Sequence, residues 1–132
     1  MSAPTPFQRV SSAAVWEERV GYCRALRAGG LIFVTGTAPV ADDGCSVHAP
    51  GDAEAQAARC LALIERALVG LGADRTRVVR TRLFVTDITR WAEYGRAHAA
   101  FFGDHRPTTT MVEVRALIDP AMLVEIEADA VL

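Results

Sequence analysis

The stretch Met122-Leu123-Val124-Glu125-Ile126-Glu127-Ala128-Asp129-Ala130-Val131-Leu132 alternates between apolar and acidic side chains from Val124 to Ala130. Successive side chains of a strand point to opposite faces. Val124, Ile126, Ala128 and Ala130 therefore share one face, and Glu125, Glu127 and Asp129 share the other. One face is built for apolar cover, while the other carries three carboxylates. Two earlier stretches extend the pattern. In Thr109–Leu117, Thr110, Val112, Val114 and Ala116 oppose Thr109, Met111, Glu113 and Arg115. In Val78–Val85, Val79, Leu83 and Val85 oppose Val78, Arg80, Arg82 and Phe84. The helices are expected on the apolar face. The mixed face, with Arg80, Arg82, Phe84, Met111 and Glu113, suits a subunit interface or a ligand cleft better than plain solvent.

Upstream, Gly29-Gly30 between Arg24–Ala28 and Leu31–Thr35 is a hairpin signal. The apolar run Leu31–Val34 predicts a central strand buried on both faces. Residues 38–51 hold Pro39, Gly44, Pro50 and Gly51 and read as a surface loop. Asp52 is placed to cap a helix from Ala53, in which Ala57, Cys60, Leu61, Ile64, Ala67, Leu68 and Leu71 form one apolar face. A second helix spans about Arg90–Phe102, opened by Asp87 or Thr89. Phe7–Val10 is a candidate extra strand, Ala13–Arg19 is open between loop and helical turn, and residues 1–6 read as a loose arm. Strands and helices in this order predict an α+β domain over 1–132, with both helices on one face of a mixed sheet.

Composition narrows the function. The 132 residues carry 14 basic and 16 acidic side chains, a net charge of −2, and 51% are hydrophobic. That balance argues against a nucleic-acid partner. No apolar run approaches the ~20 residues that span a bilayer, so no membrane segment is expected. Cys23, Cys45 and Cys60 are odd in number and have no metal-like spacing, which points to reduced thiols in a cytoplasmic protein. His48, His98 and His105 form no ligand pattern, and no metal is expected. No nucleophile elbow, phosphate loop or zinc motif is present.

The stretches Gly21-Tyr22-Cys23-Arg24-Ala25, Val34-Thr35-Gly36-Thr37, Gln56, Val78–Thr81, Phe84–Asp87, Phe101-Phe102, Pro107, Met111–Val114 and Val124–Ala128 follow one another in an order and spacing similar to those of the Rid family. These reactive intermediate deaminases are also called YjgF-like or L-PSP-like. The resemblance covers residues 20–132. It implies a chorismate-mutase-like fold and a homotrimer, with the three sheets forming a barrel and small-molecule clefts between subunits. Its deaminase branch hydrolyses enamines and imines such as 2-aminoacrylate to 2-oxo acids and ammonia, without a cofactor.

On this resemblance Glu125 holds the attacking water and Thr35 stands for a serine that steadies developing charge. Tyr22, Gly36, Phe84, Thr109, Met111 and Arg115 are the implied substrate-binding set. The branch's carboxylate-gripping arginine falls at Thr109, its cysteine at Met111 and its helix asparagine at Gly95. A carboxylate entering a partly desolvated cleft without that arginine loses its counter-charge. Arg24, Arg82 and Arg115 are the candidate replacements, each also a candidate for a structural ion pair. The reading is an imine or enamine hydrolase of altered substrate range, acting on an imine, enamine or carbonyl metabolite, with weak or absent turnover of 2-aminoacrylate itself. The alternatives are a small-molecule-binding trimer without turnover and a ribonuclease, the last opposed by the acidic charge.

Overall fold

The computed structural model describes residues 6–12 and 14–132. The arm expected over residues 1–6 therefore lies outside the described residues, apart from Pro6. The elements are β1 (Phe7–Val10), α1 (Val15–Val20), β2 (Ala25–Ala28), β3 (Leu31–Thr37), α2 (Ala53–Gly70), β4 (Val78–Val85), α3 (Trp91–Phe102), β5 (Thr108–Glu113) and β6 (Val124–Val131). The six strands form one mixed sheet in the order β1-β2-β3-β6-β4-β5. β4 and β5 run parallel, and the other pairs are antiparallel. α2 lies on β3 and β6, and α3 packs beside α2. This is the expected α+β arrangement.

Local chemistry explains the boundaries. Asp52 caps α2 by accepting the Ala55 amide at 3.0 Å, a bond typically worth about 1 kcal/mol. Asp87 accepts the Thr89 amide and opens a short 3-10 turn that runs into α3. Gly29 takes φ 59°, so the β2–β3 hairpin closes in two residues without steric cost. Ala57, Cys60, Leu61, Ile64 and Leu68 of α2 are fully buried against Ile32, Val34, Ile126 and Ala128 of the sheet. α1 fills part of the stretch whose reading was open.

The pairing registers correct three expectations. β3 runs on to Thr37, and its apolar run is buried on one face only: Leu31 and Phe33 are each 47% exposed. In β4 the register shifts between Val78 and Arg80, so Val78 joins Thr81, Leu83 and Val85 on the helix face and Val79 is turned out. In β5, Thr109, Met111 and Glu113 pair with Thr81, Leu83 and Val85. Paired residues of a parallel ladder share a face, so these three point toward the helices, and Met111 packs against the core. Val112 lies on the helix-free face and is exposed. The mixed face thus keeps Arg80, Arg82 and Phe84 but not Met111 or Glu113. β5 ends at Glu113, and the remainder of the expected strand is irregular.

Gln56 joins α2 to the turn before β6. Its side chain is fully buried. Oε1 accepts the Leu123 amide at 2.8 Å, and Nε2 donates to the Ala121 carbonyl at 2.9 Å. This fixes where β6 begins and hence where Glu125 stands. Gln56→Leu keeps bulk but strands a buried amide and a carbonyl. A loss of about 2–4 kcal/mol is expected in denaturant unfolding, since each unsatisfied group costs about 1–3 kcal/mol.

Candidate functional site

The β3–β6 ladder pairs Leu31–Val34 with Val131–Ala128 and resumes at Thr37 opposite Ile126. Three steps along β3 match two along β6, so Thr35-Gly36 forms a bulge. A Cβ on Gly36 would stand 3.0 Å from Glu125 Oε2 and 3.3 Å from its Cδ. The bare glycine therefore leaves the space into which the carboxylate leans.

Arg24, from the residues just before β2, closes the other side. Its Nη1 donates to Gly36 O at 3.1 Å and to Thr37 Oγ1 at 3.3 Å. The guanidinium carbon stands 5.6 Å from the Tyr22 ring centre. Nε is buried, has no hydrogen-bond acceptor among the described residues and lies 3.6 Å from Glu17 Oε2. Glu17 is itself buried. It accepts the Ser12 amide at 3.1 Å together with the Ser12 hydroxyl. One arginine thus sits between two carboxylates and links α1 to the β3 bulge. Burial pushes the Glu125 carboxyl above the ordinary glutamate value, Arg24 pulls it back, and Glu127 adds to the rise. A carboxyl with raised proton affinity beside open space can take and return a proton.

Two cavities meet at this carboxylate. A chamber of about 350 Å³ lies between α1, the end of β3 and α2. A shallower cleft opens toward Phe84, Val114 and Leu117. Tyr22, Gly36 and Glu125 line both. Of the expected residues, Glu125, Thr35, Tyr22, Gly36 and Phe84 come together around the shallow cleft. The Thr35 hydroxyl donates to Cys23 O at 2.8 Å, so its proton is already engaged.

Thr109 and Met111 are not brought to this site within the chain. Thr109 Oγ1 is 2.7 Å from Thr81 Oγ1, which is 2.8 Å from His98 Nε2. Arg115 is exposed and lines neither cavity. Arg82 pairs with Glu127 at 3.1 Å and Asp129 at 3.6 Å. Of the three candidate cations, Arg24 is the one whose charge acts on Glu125. Sequence periodicity missed Glu17 and the chamber side chains of α2, because an apolar helix face reads as core. Among the described residues, no group of three or more His, Cys, Asp or Glu is placed to hold a metal ion, and no helix is long and apolar enough to cross a membrane.

The sequence model described as Endoribonuclease L-PSP matches residues 13–132. The chain belongs to this family, the YjgF/Rid family. The solved structure of Rv2704 from Mycobacterium tuberculosis, a YjgF-family member, is 49% identical. The match covers 96% of this chain and 99% of that one, with a TM-score of 0.86. The 3-aminoacrylate deaminase RutC of Acinetobacter baylyi is 31% identical over 83% of this chain and 85% of its own. E. coli TdcF, solved with bound serine, is 26% identical, covers 94% of each chain and has a TM-score of 0.80.

Two titrations follow for this L-PSP-family chain. Glu125 is harder to charge when folded, so it contributes stability in acid that is lost as pH rises through its raised value. Glu125→Gln is expected to raise the melting temperature at pH 7 and to match the parent well below pH 4.5. His98 behaves oppositely: burial lowers its imidazole value from 6.5. Its contribution is present above pH 6.5 and falls away as the pH drops toward the folded value. His98→Gln is expected to flatten that part of a melting-temperature profile taken from pH 7.5 to 5.

Proposed function

We propose that the protein is a cytoplasmic imine or enamine hydrolase whose site centres on Glu125. The observation that carries this reading is a half-buried carboxylate with a raised proton affinity, leaning over a glycine bulge beside Arg24. Family membership and the deaminase name of a relative support it. Glu125 takes a proton from water as the water oxygen bonds to the carbon of the protonated imine and the C=N π pair moves to nitrogen. It returns that proton to the amino nitrogen of the carbinolamine. The C–N bond then breaks as oxygen forms C=O, and the hydroxyl proton passes through Glu125 to the leaving ammonia, giving a carbonyl compound and ammonium. Tyr22 and the Thr35-Gly36 backbone position the substrate, and Phe84 walls the cleft. Arg24 supplies the counter-charge for a carboxylate, since Thr109 cannot.

We also propose a homotrimer built through the helix-free face. Leu31, Phe33, Val112 and Val131 are exposed there in the single chain, around the Arg82–Glu127–Asp129 ion pairs. Four large apolar side chains on one open face suit burial in an oligomer. A second reading, binding without turnover, draws on Thr109: its hydroxyl is engaged with Thr81 and points to the helix side. Ribonuclease chemistry has less support, because no histidine lines either cavity.

Ammonia release in the presence of an enzyme that generates 2-imino acids decides between hydrolysis and binding. Turnover is expected, and Glu125→Gln should lower it by about 10²-fold or more while sedimentation still gives a trimer. Turnover unchanged by Glu125→Gln would overturn the role of this carboxylate. Absence of turnover in the parent protein, with ligand binding intact, would leave the binding reading. A chain sedimenting as a 14.2 kDa species at micromolar concentration would overturn the trimer.

A further inference from the structure

The chamber beside Glu125 is much larger than the smallest imino acids need, and most of it is apolar. Its walls include Trp16 and Val20 of α1, Leu63 and Ala67 of α2, with Ile118 and Met122 from the segment before β6. Trp16, Val20 and Ile118 are large apolar side chains left exposed in the folded chain. These three stand at one cavity rather than scattered singly over the surface, and so mark it as a place for apolar cover.

The charges give the chamber a direction. Arg59 also lines it, but its Nε donates to Val40 O at 2.7 Å and its Nη2 pairs with Asp42 at 2.9 Å. Arg66 is exposed. Arg24 lines the chamber beside Gly36 and acts on Glu125, with Nη1 on the Gly36 carbonyl and Nε paired with Glu17. A ligand carboxylate and the reacting carbon therefore belong at the Arg24–Glu125 end. The remainder of the ligand then runs between α1 and α2.

Volume sets the size of that remainder. About 350 Å³ is the liquid share of roughly a dozen waters at ~30 Å³ each. A three-carbon imino acid, with about six heavy atoms, leaves about half of this space to water against apolar walls.

We propose that the chamber is a side-chain pocket selecting imines of 2-oxo acids with a bulky apolar tail, branched aliphatic or aromatic, over those with a methyl tail. The inference rests on reading the Glu125 cleft as an imine or carbonyl site, and it names the substrate class of that site. Each buried methylene returns a several-fold gain in affinity, so the preference is visible in binding alone.

The test titrates the full-length protein by calorimetry with three 2-oxo acids of the product class: pyruvate, 4-methyl-2-oxopentanoate and phenylpyruvate. The two bulky acids are expected to bind about tenfold or more tightly than pyruvate. Leu63→Trp, which fills the chamber, and Ile118→Ser, which removes an apolar lip at an exposed position, are each expected to bring that ratio toward one. Equal affinity for all three acids in the parent protein would overturn this inference and leave the Glu125 reading standing. A preference unchanged in both variants would overturn the placement of the tail between α1 and α2. No binding of any of the three would overturn the Glu125 reading, and the inference with it.

Discussion

A single guanidinium between two carboxylates holds the site together. Arg24 reaches the Gly36 carbonyl and Thr37 hydroxyl with Nη1 and lies near the buried Glu17 with Nε. It also provides the attraction that partly offsets the burial of Glu125. A buried pair broken on one side leaves an uncompensated charge, which is far more costly than never having had the pair. Arg24 and Glu17 are therefore interdependent. The same contacts tether α1 to the sheet and so shape one wall of the chamber.

The β3 bulge is the backbone counterpart of this arrangement. Without the extra residue, the ladder would carry regular pairing through residues 35 and 36, with no break beside Glu125. The bulge and the missing Cβ at Gly36 together let the carboxylate lean over β3. Its neighbours on β6 have no such freedom: Glu127 is engaged by Arg82, which also reaches Asp129. Three acidic residues of one strand face thus divide by environment. Two serve an ion-pair network on the open sheet face, and one faces a cavity with no hydrogen-bond donor fixed on it among the described residues.

How much of this was legible in the sequence follows the same division. The alternation of β6 revealed its two faces because that strand is regular and paired on both sides. The cap at Asp52 and the apolar face of α2 were legible because helix signals are local. β5 misled because it is an edge strand in a parallel pair, and its facing is set by the register with β4, a non-local fact. Val78 and Val79 exchanged roles for the same kind of reason, a register shift inside β4. At the site, Glu125, Gly36 and Tyr22 came from family resemblance, while their meeting at one point required the bulge. Thr109 and Met111 were drawn to the cleft by resemblance, and Met111 also by the alternation of β5; within the chain they point toward the helices. No periodicity could have found the chamber, since Ala67 lies on the apolar face of α2 and reads as core, while half-buried Leu63 stands off that face.

The chamber and the raised carboxyl are physically coupled. Apolar walls that exclude water lower the local dielectric, which strengthens both the penalty on Glu125 and the pull of Arg24 upon it. A ligand tail that displaces the remaining water deepens both effects at once. Because burial is the larger influence on Glu125, its proton affinity is expected to rise further when the chamber is filled. In a site of this kind, fit of the tail and proton transfer at the head are not separate requirements. A substrate that leaves the chamber half empty forfeits apolar contact and also leaves the carboxylate solvated and less ready to take a proton from water.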